Sequence, residues 1–316
     1  MGTVFYGVTP DGDEVAVKTI RDGLAENQEL KTRFEREVEA MGMVQGPRVA
    51  NLIDADPAAP VPWLASEYIR GLTLKEYVTL HGVLPAALAA ALGIALAEAL
   101  ASIHQARVLH RDLKPVNVIL ANDGPRLIDF GLAALGDQSG HLTGTNQVLG
   151  TPVCMSPEQA VSSRRVTAAT DVYALGATLA YAAAQHYPYQ AESAREIQNA
   201  LIDPAVEPDL SGIPGAVVPA IAGMLAYAEA ARPTLGEVHK ELAQVLADAG
   251  RDDPVAAVRR LAAVTYQEAP GGPDPMPVIP RRPRLPGPLA DPHVPSDLVC
   301  QAAGRLRRDY SASAPF

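Results

Sequence analysis

Residues 110–131, HRDLKPVNVILANDGPRLIDFG, constrain this 316-residue chain more than any other stretch. An apolar run (Val118, Ile119, Leu120) and an apolar pair (Leu127, Ile128) flank Asn122, Asp123, Gly124 and Pro125. Two short apolar runs closed by Asn/Asp/Gly turn chemistry predict a β-hairpin. A turn centred on Asp123 and Gly124 sets Asn117 roughly opposite Asp129, about 5 Å apart as cross-strand neighbours are. A carboxamide and a carboxylate then offer hard oxygens side by side, the donor type that Mg²⁺ takes. Asp112 lies one loop upstream, with Lys114 two residues on. A carboxylate to accept a proton, an ammonium to hold a phosphate and a metal clamp form a phosphoryl-transfer constellation.

HRDLKPVN followed by IDFG resembles the catalytic loop and metal-binding motif of the eukaryotic-type (Hanks-type) protein kinases, in their bacterial serine/threonine form. The resemblance implies a two-lobed α+β protein-kinase fold over residues 1–245: a small β-rich lobe (1–66), a hinge (67–71) and a large helical lobe (72–245). It implies ATP and Mg²⁺ (or Mn²⁺) as cofactors. Asp112 would be the general base and Lys114 would neutralise the transferring phosphoryl group; a Lys there points to serine/threonine rather than tyrosine acceptors. Asn117 and Asp129 would hold the metal. His110 is expected to be structural.

The first lobe supports the same resemblance. Residues 3–8 and 14–20 are β-rich runs joined by the turn cluster TPDGD. Alternation puts Ala16 and Lys18 on one face, and Lys18, in VAVK, resembles the lysine that holds the α- and β-phosphates. Leu30, Phe34, Val38 and Met41 make an amphipathic stripe over residues 26–43. Glu37, one turn beyond Phe34, edges the buried side and resembles the helix glutamate that pairs with Lys18. By position, the Glu67 carbonyl and the Ile69 N–H would bond the adenine. Only the tail of the glycine-rich loop pattern is present, Gly2-Thr3-Val4. That loop gives backbone N–H bonds to phosphate worth about 1.5–3 kcal/mol each. The expectation is a true start upstream of Met1, or weak ATP binding if the chain begins there. The alternative is a catalytically weak, kinase-like signalling scaffold.

In the second lobe, Thr73 and Glu76 form a capping-box pattern and an Ala-rich helix spans about 85–104. Residues 137–150 read as a mobile loop holding Thr143 and Thr145, the expected autophosphorylation sites, with Arg111 placed to pair with the phosphate. Thr151 would lie beside the substrate hydroxyl. SPE at 156–158 resembles the family's APE motif, with a small-for-small Ser156; Glu158 is expected to pair with Arg232 as its counterpart does. Asp171 is read as the N-cap of an apolar helix, and its counterpart bonds the catalytic-loop backbone. Cys154 reads as a small packed residue rather than a redox sensor. Helices continue through 216–245, and 254–264 adds one more in an extension over 246–269.

Net charge is −10, which argues against a nucleic-acid binder and an anionic membrane surface. Residues 83–97 carry no charge but are shorter than the ~20 residues a span needs, so a buried helix, not a membrane span, is expected. Cys154 and Cys300 make no disulfide framework, and no signal peptide is apparent; the expectation is a cytoplasmic protein. Residues 270–295 hold ten prolines and read as an extended linker. A proline-binding module could dock at 280–286, although a plain spacer reads better. Residues 296–316 form a tail. Expected partners are protein substrates and a second copy for trans-autophosphorylation.

Overall fold

A computed structural model describes residues 3–19, 28–129, 152–161, 166–250 and 253–268. The chain divides into two compact units: residues up to 45 with 50–68, and residues 46–49 with 69–269. The β-rich first and helical second unit match the expected α+β division. Gly2, Thr143, Thr145, Thr151 and the proline-rich and terminal segments lie outside the described residues.

The first unit is a four-stranded antiparallel sheet with one helix. Strands β1 (Thr3–Val8), β2 (Glu14–Thr19), β3 (Leu52–Asp56) and β4 (Trp63–Glu67) lie in the order β1-β2-β4-β3. Alternation in β2 buries Val15 and Val17 completely and leaves Ala16 and Lys18 on the other face. Trp63 and Ala65 join those valines in the core. Helix α1 (Gln28–Met43) buries Phe34, Ala40 and Met41. Among the described residues β1 is an edge strand, with Val4 and Val8 exposed.

The second unit opens with β5 (Leu72–Thr73) and α2 (Leu74–His81), whose N-terminus carries the expected Thr73/Glu76 capping box. Helix α3 (Ala86–Gln105) is the only described helix long and apolar enough to cross a membrane. It lies in the core instead, packed by α5 (Ala168–Ala184), α8 (Leu235–Asp248) and α9 (Pro254–Thr265). The remaining helices are α4 (Pro157–Val161), α6 (Ala194–Ile202) and α7 (Val218–Met224). Strands β6 (Val118–Ala121) and β7 (Gly124–Leu127) complete a small sheet with β5.

Two local expectations change. The hairpin turn centres on Asn122 and Asp123, because Ala121 pairs with Gly124. Neither turn residue has positive φ; Gly124 takes the left-handed step at φ 125°. Asn117 therefore faces Ile128, whose N–H donates to the Asn117 carbonyl at 3.0 Å, and Asp129 lies one residue beyond. Asp171 is not the N-cap of α5. Thr167 takes that position, accepting from the Ala169 N–H, which frees the Asp171 carboxylate for other use.

Candidate active site

In the first unit, Lys18 Nζ donates to Glu37 Oε1 at 2.6 Å. β2 projects the lysine and α1 the glutamate, and both side chains are mostly buried. Ala16, on the same face of β2, pairs across the sheet with Tyr6 and Ser66, and Val4 pairs with Lys18. The Glu67 carboxylate accepts from the Asn51 N–H and side-chain amide at 3.3 and 3.1 Å, which pins the end of β4. Ile69 begins the second unit.

The second unit brings together Asp112, Lys114 and Asn117. Lys114 Nζ donates to both Asp112 carboxylate oxygens, at 2.9 and 2.7 Å. Asn117 Nδ2 donates to the Asp112 carbonyl at 2.8 Å and to Oδ2 at 3.2 Å. A single 3₁₀ turn, Pro115–Asn117, makes this reach possible: Pro115 at its first position needs no N–H partner, and the Asn117 N–H closes on the Lys114 carbonyl. The turn runs directly into β6, and β7 returns to Asp129, whose φ is 54°. A parallel bridge between Val49 and Leu127 holds β7 from its other side.

The backbone before Asp112 is held by a buried carboxylate. Asp171, fully buried, accepts from the His110 N–H at 2.9 Å and the Arg111 N–H at 2.8 Å. Arg111 has φ 63°, a left-handed conformation that costs a non-glycine residue about 1–3 kcal/mol. Bonds to a charged acceptor are worth about 1.5–3 kcal/mol each, enough to hold it. The Arg111 Nε is buried without a hydrogen-bond partner among the described residues. His110 is fully buried, and desolvation lowers its pKa despite Asp171, Asp112 and Asp129 nearby. Its Nδ1 accepts from the Asp112 N–H at 3.4 Å, a supporting position.

Glu158 and Arg232 form a bidentate pair at 2.7 and 2.8 Å. Burial raises the Glu158 pKa, but the hydrogen bonds from Arg232 and Thr170 prevail and hold it below the usual carboxylate range. The pair ties α4 to the segment before α8. Cys154 is buried and its thiol is pushed up to about 12, chiefly by desolvation, so it packs as a small apolar residue.

Two residues of this site were absent from the sequence reading. His104 Nε2 lies 2.7 Å from Asp171 Oδ2. Gln159 Nε2 donates to the Arg111 carbonyl at 3.0 Å. His104 gives no local signal, since its partner is 67 residues away. Ser156-x-x-Gln159 is a capping-box pattern legible in sequence, although its second partner is not.

Comparison with known proteins agrees with this geometry. The protein kinase domain family profile matches residues 1–242. The chain is 44% identical over 253 residues to the serine/threonine-protein kinase AfsK of Streptomyces coelicolor, covering 80% of this chain and 31% of that protein. It is 41% identical over 253 residues to the probable serine/threonine-protein kinase PkwA of Thermomonospora curvata, covering 80% of this chain and 33% of that one. The chain thus spans about a third of the length of the curated relatives it matches. The crystal structure of the Mycobacterium tuberculosis PknI kinase domain superposes with a TM-score of 0.61 at 26% identity, covering 79% of this chain and 91% of that one.

Proposed function

Since this chain belongs to the protein kinase domain family, we propose that it transfers the γ-phosphoryl group of ATP to serine and threonine hydroxyls of protein substrates. The observation that carries this reading is the Asp112 carboxylate, gripped by Lys114 and Asn117 on a backbone tied to Asp171. Asp112 accepts the hydroxyl proton as the acceptor oxygen attacks. Lys114, already beside that carboxylate, meets the charge that develops on the phosphoryl oxygens. Asn117 spends its Nδ2 on Asp112, which leaves Oδ1, and Asp129 adds a carboxylate. Those two hard oxygens suit Mg²⁺ or Mn²⁺, which would screen the phosphates of a bound nucleotide. In the first unit, Glu37 holds Lys18 Nζ at 2.6 Å, a cation suited to contact phosphate.

Transfer to the chain's own Thr143 or Thr145, from a second copy, belongs to the same reading. Arg111, directly before Asp112, is the expected partner of that phosphate. The test is ³²P transfer from labelled ATP to a serine/threonine-rich protein acceptor, with phosphoamino-acid analysis and Asp112→Asn as control. Label on serine or threonine that the control lacks is the expected result. Transfer no greater than the control would reject the enzyme in favour of a scaffold.

A further inference from the structure

Arg111 is held from both sides of its residue, and the second hold comes from a side chain with no chemical part in the reaction. Its N–H is taken by Asp171 on α5. Its carbonyl accepts from Gln159 Nε2 at 3.0 Å, from α4. An amide has two faces, and here both are occupied. Gln159 Oε1 accepts from the Ser156 N–H at 3.2 Å and from the Ser156 hydroxyl at 3.3 Å, while the Gln159 N–H donates back to Ser156 Oγ at 3.4 Å. Only one orientation of the amide suits these partners: Oε1 toward the two donors, Nε2 toward the carbonyl. Ser156 is fully buried. An alanine there would keep the volume, but it would lose the hydroxyl that helps fix this orientation.

We propose that Ser156 and Gln159 form a positioning pair for Asp112, in which Ser156 fixes the Gln159 amide and Gln159 holds the left-handed Arg111 peptide that aims the base. The carbonyl of Arg111 is part of the peptide that leads into Asp112. Freeing it lets the chain relax about the very bond that sets the Asp112 direction. Asp171 alone secures only the N–H side of Arg111, so the two holds are not redundant. This inference rests on Asp112 being the base.

The decisive variants are Gln159→Glu, Gln159→Ala and Ser156→Ala, with Gln244→Ala as control. Gln159→Glu retains oxygens for the Ser156 donors but, ionised, has no proton to give the Arg111 carbonyl. Gln244 makes a comparable bond to the Asp248 carboxylate at 2.7 Å within α8, and this bond involves neither α4 nor the catalytic loop. Both Gln159 variants should lower kcat about tenfold, which is about 1.4 kcal/mol of barrier. KM for ATP and for a peptide acceptor should stay within about twofold, since the base acts in the transition state. Ser156→Ala should show a smaller fall of the same kind, and Gln244→Ala none. Hydrogen exchange in peptides covering 108–114 should quicken in the Gln159 variants while α3 stays as protected as in the unaltered chain. A Gln159→Glu protein with kcat within twofold and unchanged exchange at 108–114 would overturn the proposal. If the unaltered chain transfers no more label than Asp112→Asn, the kinase reading fails, and the exchange arm still decides whether Gln159 holds the loop.

Discussion

Removing Glu158 should cost stability by an amount the structure bounds. The Arg232 side chain is fully buried, so Glu158→Ala leaves a buried cation without its counter-ion. Breaking such a pair costs about 3–5 kcal/mol. Arg232 keeps bonds to the Ala226, Ala169 and Tyr227 carbonyls at 2.8–3.1 Å, and its guanidinium lies 4.9 Å from the Tyr173 ring centre. These contacts bring the expected loss to about 2–4 kcal/mol. For a unit of this size, that lowers Tm by about 4–16 °C. Denaturant unfolding of Glu158→Met, Arg232→Met and the double Glu158→Met/Arg232→Met should give a coupling energy of about 2 kcal/mol or more. pH supplies a second check. The folded Glu158 pKa is depressed, so its contribution is complete above the ordinary carboxyl value and fades as pH falls through the lowered one. The gap between the unaltered chain and Glu158→Gln should therefore narrow on acidification. A Glu158→Ala protein melting within 2 °C of the unaltered chain, or a gap that widens in acid, would refute the reasoning.

Three further outcomes follow from separate places in the fold. Gly71 has φ 146°, and a Cβ there would run into the Leu120 carbonyl; Gly71→Ala should lose at least about 1–3 kcal/mol by denaturant unfolding. The His186 ring nitrogens lie 3.2 and 2.8 Å from the Tyr187 and Ser211 carbonyls. Burial opposes the charge, but those carbonyls and Asp209 outweigh it and raise the pKa. That stabilisation is complete below the ordinary histidine value and is lost as pH rises through the raised one, so the Tm deficit of His186→Gln should be larger at pH 5.5 than at 8.5. On a Cys300→Ser background, the folded protein at pH 8 should resist maleimide, because the Cys154 thiol is buried and pushed up to about 12.

The residues of the candidate site were legible in sequence, because each is identified by type and short spacing. Asp112, Lys114 and Asn117 sit within six residues, and one tight turn is enough to bring them together. The Val15/Val17 alternation likewise fixed which face of β2 carries Lys18. What sequence reasoning missed depends on partners far along the chain. Gly124 looked like a turn centre, but it serves the turn's exit, where a Cβ would also meet Arg48 and Val258. Asp171 looked like a helix cap because an acid near an apolar run usually is one; Thr167 was the better cap, four residues earlier. Gln159 gave a local signal through Ser156, but its hold on Arg111 spans 48 residues.

A division of labour explains why the long-range residues matter to the short-range ones. Asp112 needs a fixed direction, and the chain obtains it by putting the preceding residue in a conformation that residue does not favour. A left-handed arginine would relax if unsupported, since its cost of about 1–3 kcal/mol exceeds thermal energy. Its support must come from elements that cannot themselves drift. Asp171 qualifies because α5 is buried over nearly its whole length, and His104 gives the same carboxylate a further partner from the core helix α3. α4, by contrast, is only five residues long and is not stable alone. Its fixity is borrowed from the Glu158–Arg232 pair one residue before Gln159 and from Gln198, which donates to the Ala160 carbonyl. Loss of Glu158 should therefore slow the reaction as well as lower Tm. In the Glu158→Gln protein, kcat should fall at temperatures where the fold is still intact, and by more than in a variant of equal Tm altered at the buried Leu261 of α9. Equal kcat in those two proteins would show that α4 holds Gln159 without the ion pair, through the Gln198 bond to the Ala160 carbonyl at 2.8 Å.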